Sequence, residues 1–168
     1  MDPLIAVLRA AHIGFGVFWV GGLLFMVLLL TPRLKALGPA VQGPVMQALA
    51  PITIPVFTGS GLLVIASGAA IALKLRWGTL DKFFVGDWGW AILAGAILAT
   101  SGFLLGLMVS RPAMMEAVRL GASIRGRPPS AEEGARLGAL QWTITWSTRS
   151  TASLLVAAVI AMAVARFV

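Results

Sequence analysis

The sequence predicts an all-α fold: a polytopic, integral membrane four-helix bundle whose third and fourth helices extend into a polar hairpin. Two observations carry this. Of 168 residues, 59% are hydrophobic and 11% charged, and the mean hydropathy of +0.95 lies outside the range of soluble domains. Four apolar runs are each long enough to cross a bilayer, since about 20 residues at 1.5 Å rise cover the ~30 Å hydrocarbon layer. The whole chain, 1–168, reads as one transmembrane domain without an internal repeat.

The first span runs from Leu4 to Leu30, ends at Thr31-Pro32, and is followed by Arg33 and Lys35. It is too long for a signal-peptide core and lacks a convincing cleavage site, so it is expected to be retained. The second runs from about Ile52 to Leu73 and closes at Lys74, Arg76 and Trp77. The third, Trp88 to Ser110, closes at Arg111-Pro112, and the fourth occupies about 147–166, with an apolar core from Ala152 to Ala165. Residues 111–146 form the expected hairpin. Met114 to Ser123 has helical composition, Gly126-Arg127-Pro128-Pro129 makes a turn, and Ser130 with Glu133 reads as a capping box. A helix from there to Phe167 would be about 55 Å long, well beyond the bilayer core. Its expected role is solvated structure, with a docking surface as the functional alternative.

Small residues predict the packing faces. Ala91, Gly95, Ala99, Gly102 and Gly106 form a ridge on helix three, and Ser147, Ser150, Ala157 and Ala161 are the matching expectation on helix four. Trp77, Trp88 and Trp90 fall at one membrane face and Trp142 and Trp146 at the other, as two interfacial belts. Trp19 belongs to neither and lies deep in helix one.

The net charge of +7 comes from cations at the ends of apolar runs, without the basic, aromatic-interleaved stripe of a nucleic-acid binder. Arg33, Lys35, Arg111, Arg119, Arg125, Arg127 and Arg136 outnumber Arg9, Lys74, Arg76, Lys82 and Arg166, so the expected topology puts both termini outside and the hairpin in the cytoplasm.

The only histidine, His12, stands inside the first span, where an ionisable side chain is costly and points to function. His12, Gly16, Trp19, Leu23 and Met26 share one helical face, and Gly16 is expected to leave open volume for a flat ring or a neighbouring helix. Neutral imidazole ligates haem iron or copper. The bland alternative is a histidine that hydrogen-bonds water or a carbonyl.

The pattern His12, Trp19, Gly21-Gly22, then Thr31-Pro32-Arg33-Leu34 resembles the first helix of copper-resistance D (CopD)-like membrane proteins and, more distantly, HemJ-type protoporphyrinogen oxidases. The match lies mainly in helix one. The resemblance implies a four-helix membrane unit, here in a bacterial inner membrane, associated with copper handling or haem b. HemJ-type enzymes carry a lysine and a further histidine in later helices. Here helix three reads Trp90-Ala91-Ile92-Leu93 and no second histidine exists, which argues against that oxidation and against bis-histidine ligation within one chain. A five-coordinate haem, a His/Met haem and a haem shared across a homodimer stay open.

For a His/Met site, Met162 lies nearest the depth of His12; Met26, Met46, Met108, Met114 and Met115 map to the hairpin side. Those five would form a thioether patch for Cu(I), or serve as ordinary helix-packing filler. On helix four, Arg149 shares a face with Trp142 and Trp146, which suggests a cation–π pair. Arg149 either snorkels to phosphate or contacts an anion or quinone headgroup inside the bundle. No carboxylate pair, nucleophile triad, phosphate loop or zinc cluster is present, so no catalytic residue is named. The leading expectation is a haem b- or copper-binding membrane protein that uses His12 in electron transfer or copper handling. The alternatives are a cofactor-free structural or assembly subunit of a larger membrane complex, and a copper permease using the methionines.

Overall fold

The computed structural model describes residues 2–76, 86–165 and 167. Trp77, Asp81, Lys82 and Arg166, assigned above to loops and span ends, lie outside the described residues. Helix α1 (Pro3–Phe25) continues through a five-residue π turn, Met26–Leu30, into α2 (Thr31–Ala36). Helix α3 (Pro39–Arg76) returns. Helix α4 (Asp87–Leu105) passes through a second π turn, Gly106–Ser110, into α5 (Arg111–Ser123), and α6 (Ala131–Val164) completes the bundle. Among the described residues there is no strand.

Four helical stretches are long and apolar enough to cross a membrane: Pro3–Ala36, Pro39–Leu75, Asp87–Ser123 and Ala131–Val164. This is a membrane protein. Its outer faces agree, since Val17 and Met108 are 70% exposed and Leu28 is 65% exposed. Water would penalise that much uncovered apolar surface, whereas lipid covers it.

The helices run further than the sequence predicts, and proline is the reason for the difference. Pro32 and Pro112 lack an N–H, and their rings crowd the carbonyl four residues upstream, which reads as a stop. Each helix instead widens into a π turn that ends two residues before its proline and then resumes. Pro44, Pro51 and Pro55 all lie within α3, so the second helix begins thirteen residues before Ile52, at Pro39. Two reversals among the described residues carry a glycine at positive φ, Gly38 and Gly126. Gly38, at φ +84°, follows α2, and its N–H reaches the Lys35 carbonyl at 3.1 Å. The predicted capping box at Ser130 is formed, with Glu133 N–H donating to Ser130 Oγ at 3.2 Å and Ser130 N–H donating to Glu133 Oε2 at 2.8 Å.

Packing is pairwise: α1 lies chiefly on α3, and α4 chiefly on α6. The chain is thus two helical hairpins, each opened by a helix with a π turn before a proline. The α4 ridge is used at Gly95, Ala99 and Gly102, while a Cβ added at Gly106 would meet no neighbouring atom within 4 Å. On α6 the buried line is Ser147, Thr151, Leu155 and Ala158, so only Ser147 of the four expected small residues lies on it. Larger α6 side chains fill the glycine gaps, with Leu155 at Gly102 and Met162 at Gly95. Trp19, Val64, Ala99, Leu155 and Ala158 form the core where the two hairpins meet.

Candidate functional site

The described site begins at His12. Its Nδ1 lies 2.9 Å from the Val64 carbonyl oxygen of α3. A carbonyl only accepts, so Nδ1 carries the proton and the Nε2 lone pair remains available. Ser67 Oγ stands 3.3 Å from the same nitrogen and also donates to the Val64 carbonyl at 3.1 Å. The ring lies against Gly68, where an added Cβ would come within 2.8 Å of Cε1 and 3.1 Å of Nδ1. Val64, Ser67 and Gly68 recur at three and four residues, so α3 presents an acceptor, a hydroxyl and a gap on one face. The sequence carried a signal for this face in Gly61, Ser67 and Gly68, small residues two turns apart on α3.

The other candidates have different surroundings. Beside Gly16 stands the neighbouring helix α3, with Val64 Cγ2 4.0 Å from where a Cβ would be. Trp19 is 5% exposed; its indole lies over Gly61 and meets Phe103 edge-on at 6.0 Å between ring centres. Met162 is packed on Gly95 of α4, a different helix from the one that holds the imidazole. Among the described residues no three His, Asp or Glu side chains cluster as metal ligands. The methionines do not form one patch: Met26, Met46 and Met114 line a shared cavity, Met115 lines a separate hollow, and Met108 faces outward.

Trp142 and Trp146 stack on each other, 6.3 Å between centres and 6° from parallel. No cation–π contact from Arg149 is present among the described residues; Arg149 instead lines the cavity.

That cavity lies between the two hairpins and has a volume of about 1200 Å³. Trp19, Leu23, Phe57 and Phe103 form its apolar part, and Lys35, Arg111, Arg125, Arg127 and Arg149 also line it, with no carboxylate in its wall among the described residues. Arg127 is paired outside the wall with Glu133 at 2.6 Å. The other four have no carboxylate within 4 Å among the described residues. Lys35 donates to Thr145 Oγ1 at 3.0 Å, and Arg125 donates to the Gln47 side chain, so α2 is tied to α6 and the end of α5 to α3. Sequence reasoning counted these cations for topology and missed that α2, α5 and α6 bring them to one wall. Comparison of the chain with protein-family models, curated proteins and solved structures finds no match.

Proposed function

We propose that the chain is an integral membrane protein that holds haem b through His12 and serves electron transfer, within the copper- and haem-associated class its first helix resembles. One observation supports this most: the Val64 carbonyl accepts a hydrogen bond from Nδ1–H, which orients the ring and leaves Nε2 as a ligating lone pair. A single imidazole suffices as the one axial ligand of a five-coordinate haem. Copper would need further donors beside that imidazole, since the chain has no cysteine and no second histidine. Bound haem would supply one-electron chemistry. The chain would hold the ring by Val64, Ser67 and Gly68 and exclude water by the surrounding apolar helices. Haem shared across a homodimer fits the same donor set. The setting we propose is a bacterial inner membrane, termini outside, with α5 and the start of α6 as a cytoplasmic polar hairpin clasped by Arg136–Glu116 at 2.6 Å.

A second reading has its own support. The same hydrogen bond and the close seat at Gly68 make His12 a clamp between α1 and α3, which suits a cofactor-free subunit of a membrane complex. Absorption spectra of protein purified in mild detergent separate the two. A Soret band lost in His12→Ala, with the protein still folded by circular dichroism, supports haem. Colourless, metal-free protein from haem-replete cells overturns the haem reading.

A further inference from the structure

The cavity between the hairpins combines features that His12 does not touch, because His12 lines no part of it. At about 1200 Å³ it exceeds the ~300–1,000 Å³ of ordinary small-molecule pockets. It is also long. Trp19 and Lys35 both line it, and sixteen residues of helix separate them, about 24 Å at 1.5 Å per residue. One leaflet, headgroup included, is about 20–22 Å deep. Its chemistry is divided along that length. Trp19, Leu23, Phe57 and Phe103 stand toward the bundle core, while Lys35, Arg111 and Arg125 stand at helix ends and turns.

Uncompensated cations in an apolar wall are expensive, and a fixed anion would offset that cost. Guanidinium groups hold phosphate bidentately, and basic pockets between spanning helices take acidic lipid headgroups. We propose that the cavity binds one acidic phospholipid drawn from the surrounding leaflet, with its phosphate among Lys35, Arg111 and Arg149 and its acyl chains against Trp19, Leu23, Phe57 and Phe103. The occupant is set by that division: a free phosphate would leave the apolar half empty, and a zwitterionic lipid would bring its own ammonium group beside the same cations.

Native mass spectrometry of the purified full chain, titrated with phosphatidylglycerol or with phosphatidylcholine of the same acyl chains, tests this. One phosphatidylglycerol should bind at least about tenfold more tightly than phosphatidylcholine, and Lys35→Gln with Arg149→Gln should remove most of that preference. Arg119→Gln, outside this cavity, should keep it. Gly106→Leu supplies a steric test. Gly106 lines the cavity, and an added Cβ there meets nothing within 4 Å, so the variant should fold and lose the bound lipid. Equal binding of the two lipids overturns the proposal. So does full retention in Gly106→Leu, or an Arg119→Gln loss as large as the cavity pair's. Thermal stabilisation by inorganic phosphate alone that matches the lipid's would assign the site to a soluble anion and overturn it as well.

Discussion

Replacing Gly68 by alanine tests the seat of the imidazole directly. The new Cβ would stand 2.8 Å from His12 Cε1 and 3.1 Å from Nδ1, against about 3.5–4.0 Å for ordinary carbon contact. The ring must retreat by roughly 0.7 Å, which carries the 2.9 Å Nδ1–Val64 bond past useful hydrogen-bond length. Overpacking costs about 1–3 kcal/mol, and a hydrogen bond between spanning helices averages about 0.6 kcal/mol, so Gly68→Ala should cost about 2 kcal/mol. The decisive measurement is a double-mutant cycle with His12→Ala, by unfolding in detergent followed by circular dichroism. With the ring gone, alanine at 68 meets no imidazole and gains helix propensity of about 0.5–1 kcal/mol, so the second substitution should be neutral or stabilising. Equal cost of Gly68→Ala in both backgrounds would refute the packing argument.

Three further outcomes follow from other contacts. Gly95→Val should cost about 3 kcal/mol or more by the same unfolding assay, because its Cβ would meet Met162 Cγ at 2.6 Å and the immobile Ala158 carbonyl at 3.2 Å; Gly106→Ala, with open space around it, should stay within about 1 kcal/mol of wild type. Ser147→Ala removes the acceptor of the buried 2.8 Å Ser110 hydroxyl bond and should cost about 0.6–1.7 kcal/mol, loosening α6 from the second π turn. Lys74, 3.1 Å away, holds the Asp2 carboxyl below its ordinary value of 3.8. A depressed carboxyl contributes stability above its unfolded value and loses it as pH falls through the folded one. Wild type should therefore exceed Asp2→Asn at neutral pH, and thermal melts should converge only once pH falls below the lowered value, itself under 3.8; Asn keeps the helix cap, so the difference reports the ion pair.

The membrane class and the number of helices were legible because hydropathy over a bilayer-length window is a strong, local signal. The Ser130–Glu133 cap was legible for the same reason, since three residues of sequence contain it. Helix ends were not. Pro32, Pro51 and Pro112 carry a local stop signal that a π turn or a neighbouring helix overrides, and neither device is written at the proline itself. The site was half legible. A lone histidine in a span drew notice, yet its partner is a main-chain oxygen of Val64, fifty-two residues away, and every residue type owns such an oxygen. Matching Met162 to His12 by depth along the bilayer alone does not tell which pair of helices a side chain faces; Met162 packs on Gly95 of α4. The cationic cavity was invisible for a related reason: Lys35, Arg111 and Arg149 are far apart in sequence, and only pairing of the hairpins brings them to one wall.

The two π turns have a consequence for how this chain tolerates length changes. A π turn holds about one residue more than the α path it replaces, and one residue of helix is worth about 100° of screw rotation. Deleting a single residue from Met26–Leu30 would let the turn close to the α path, leaving Thr31–Ala36 in register and Lys35 at the Thr145 hydroxyl. The same deletion in Gly106–Ser110 would leave Glu116 at Arg136. A one-residue deletion within either five-residue window should be absorbed, while the same deletion elsewhere in these helices would rotate everything beyond it, which makes each window a length buffer.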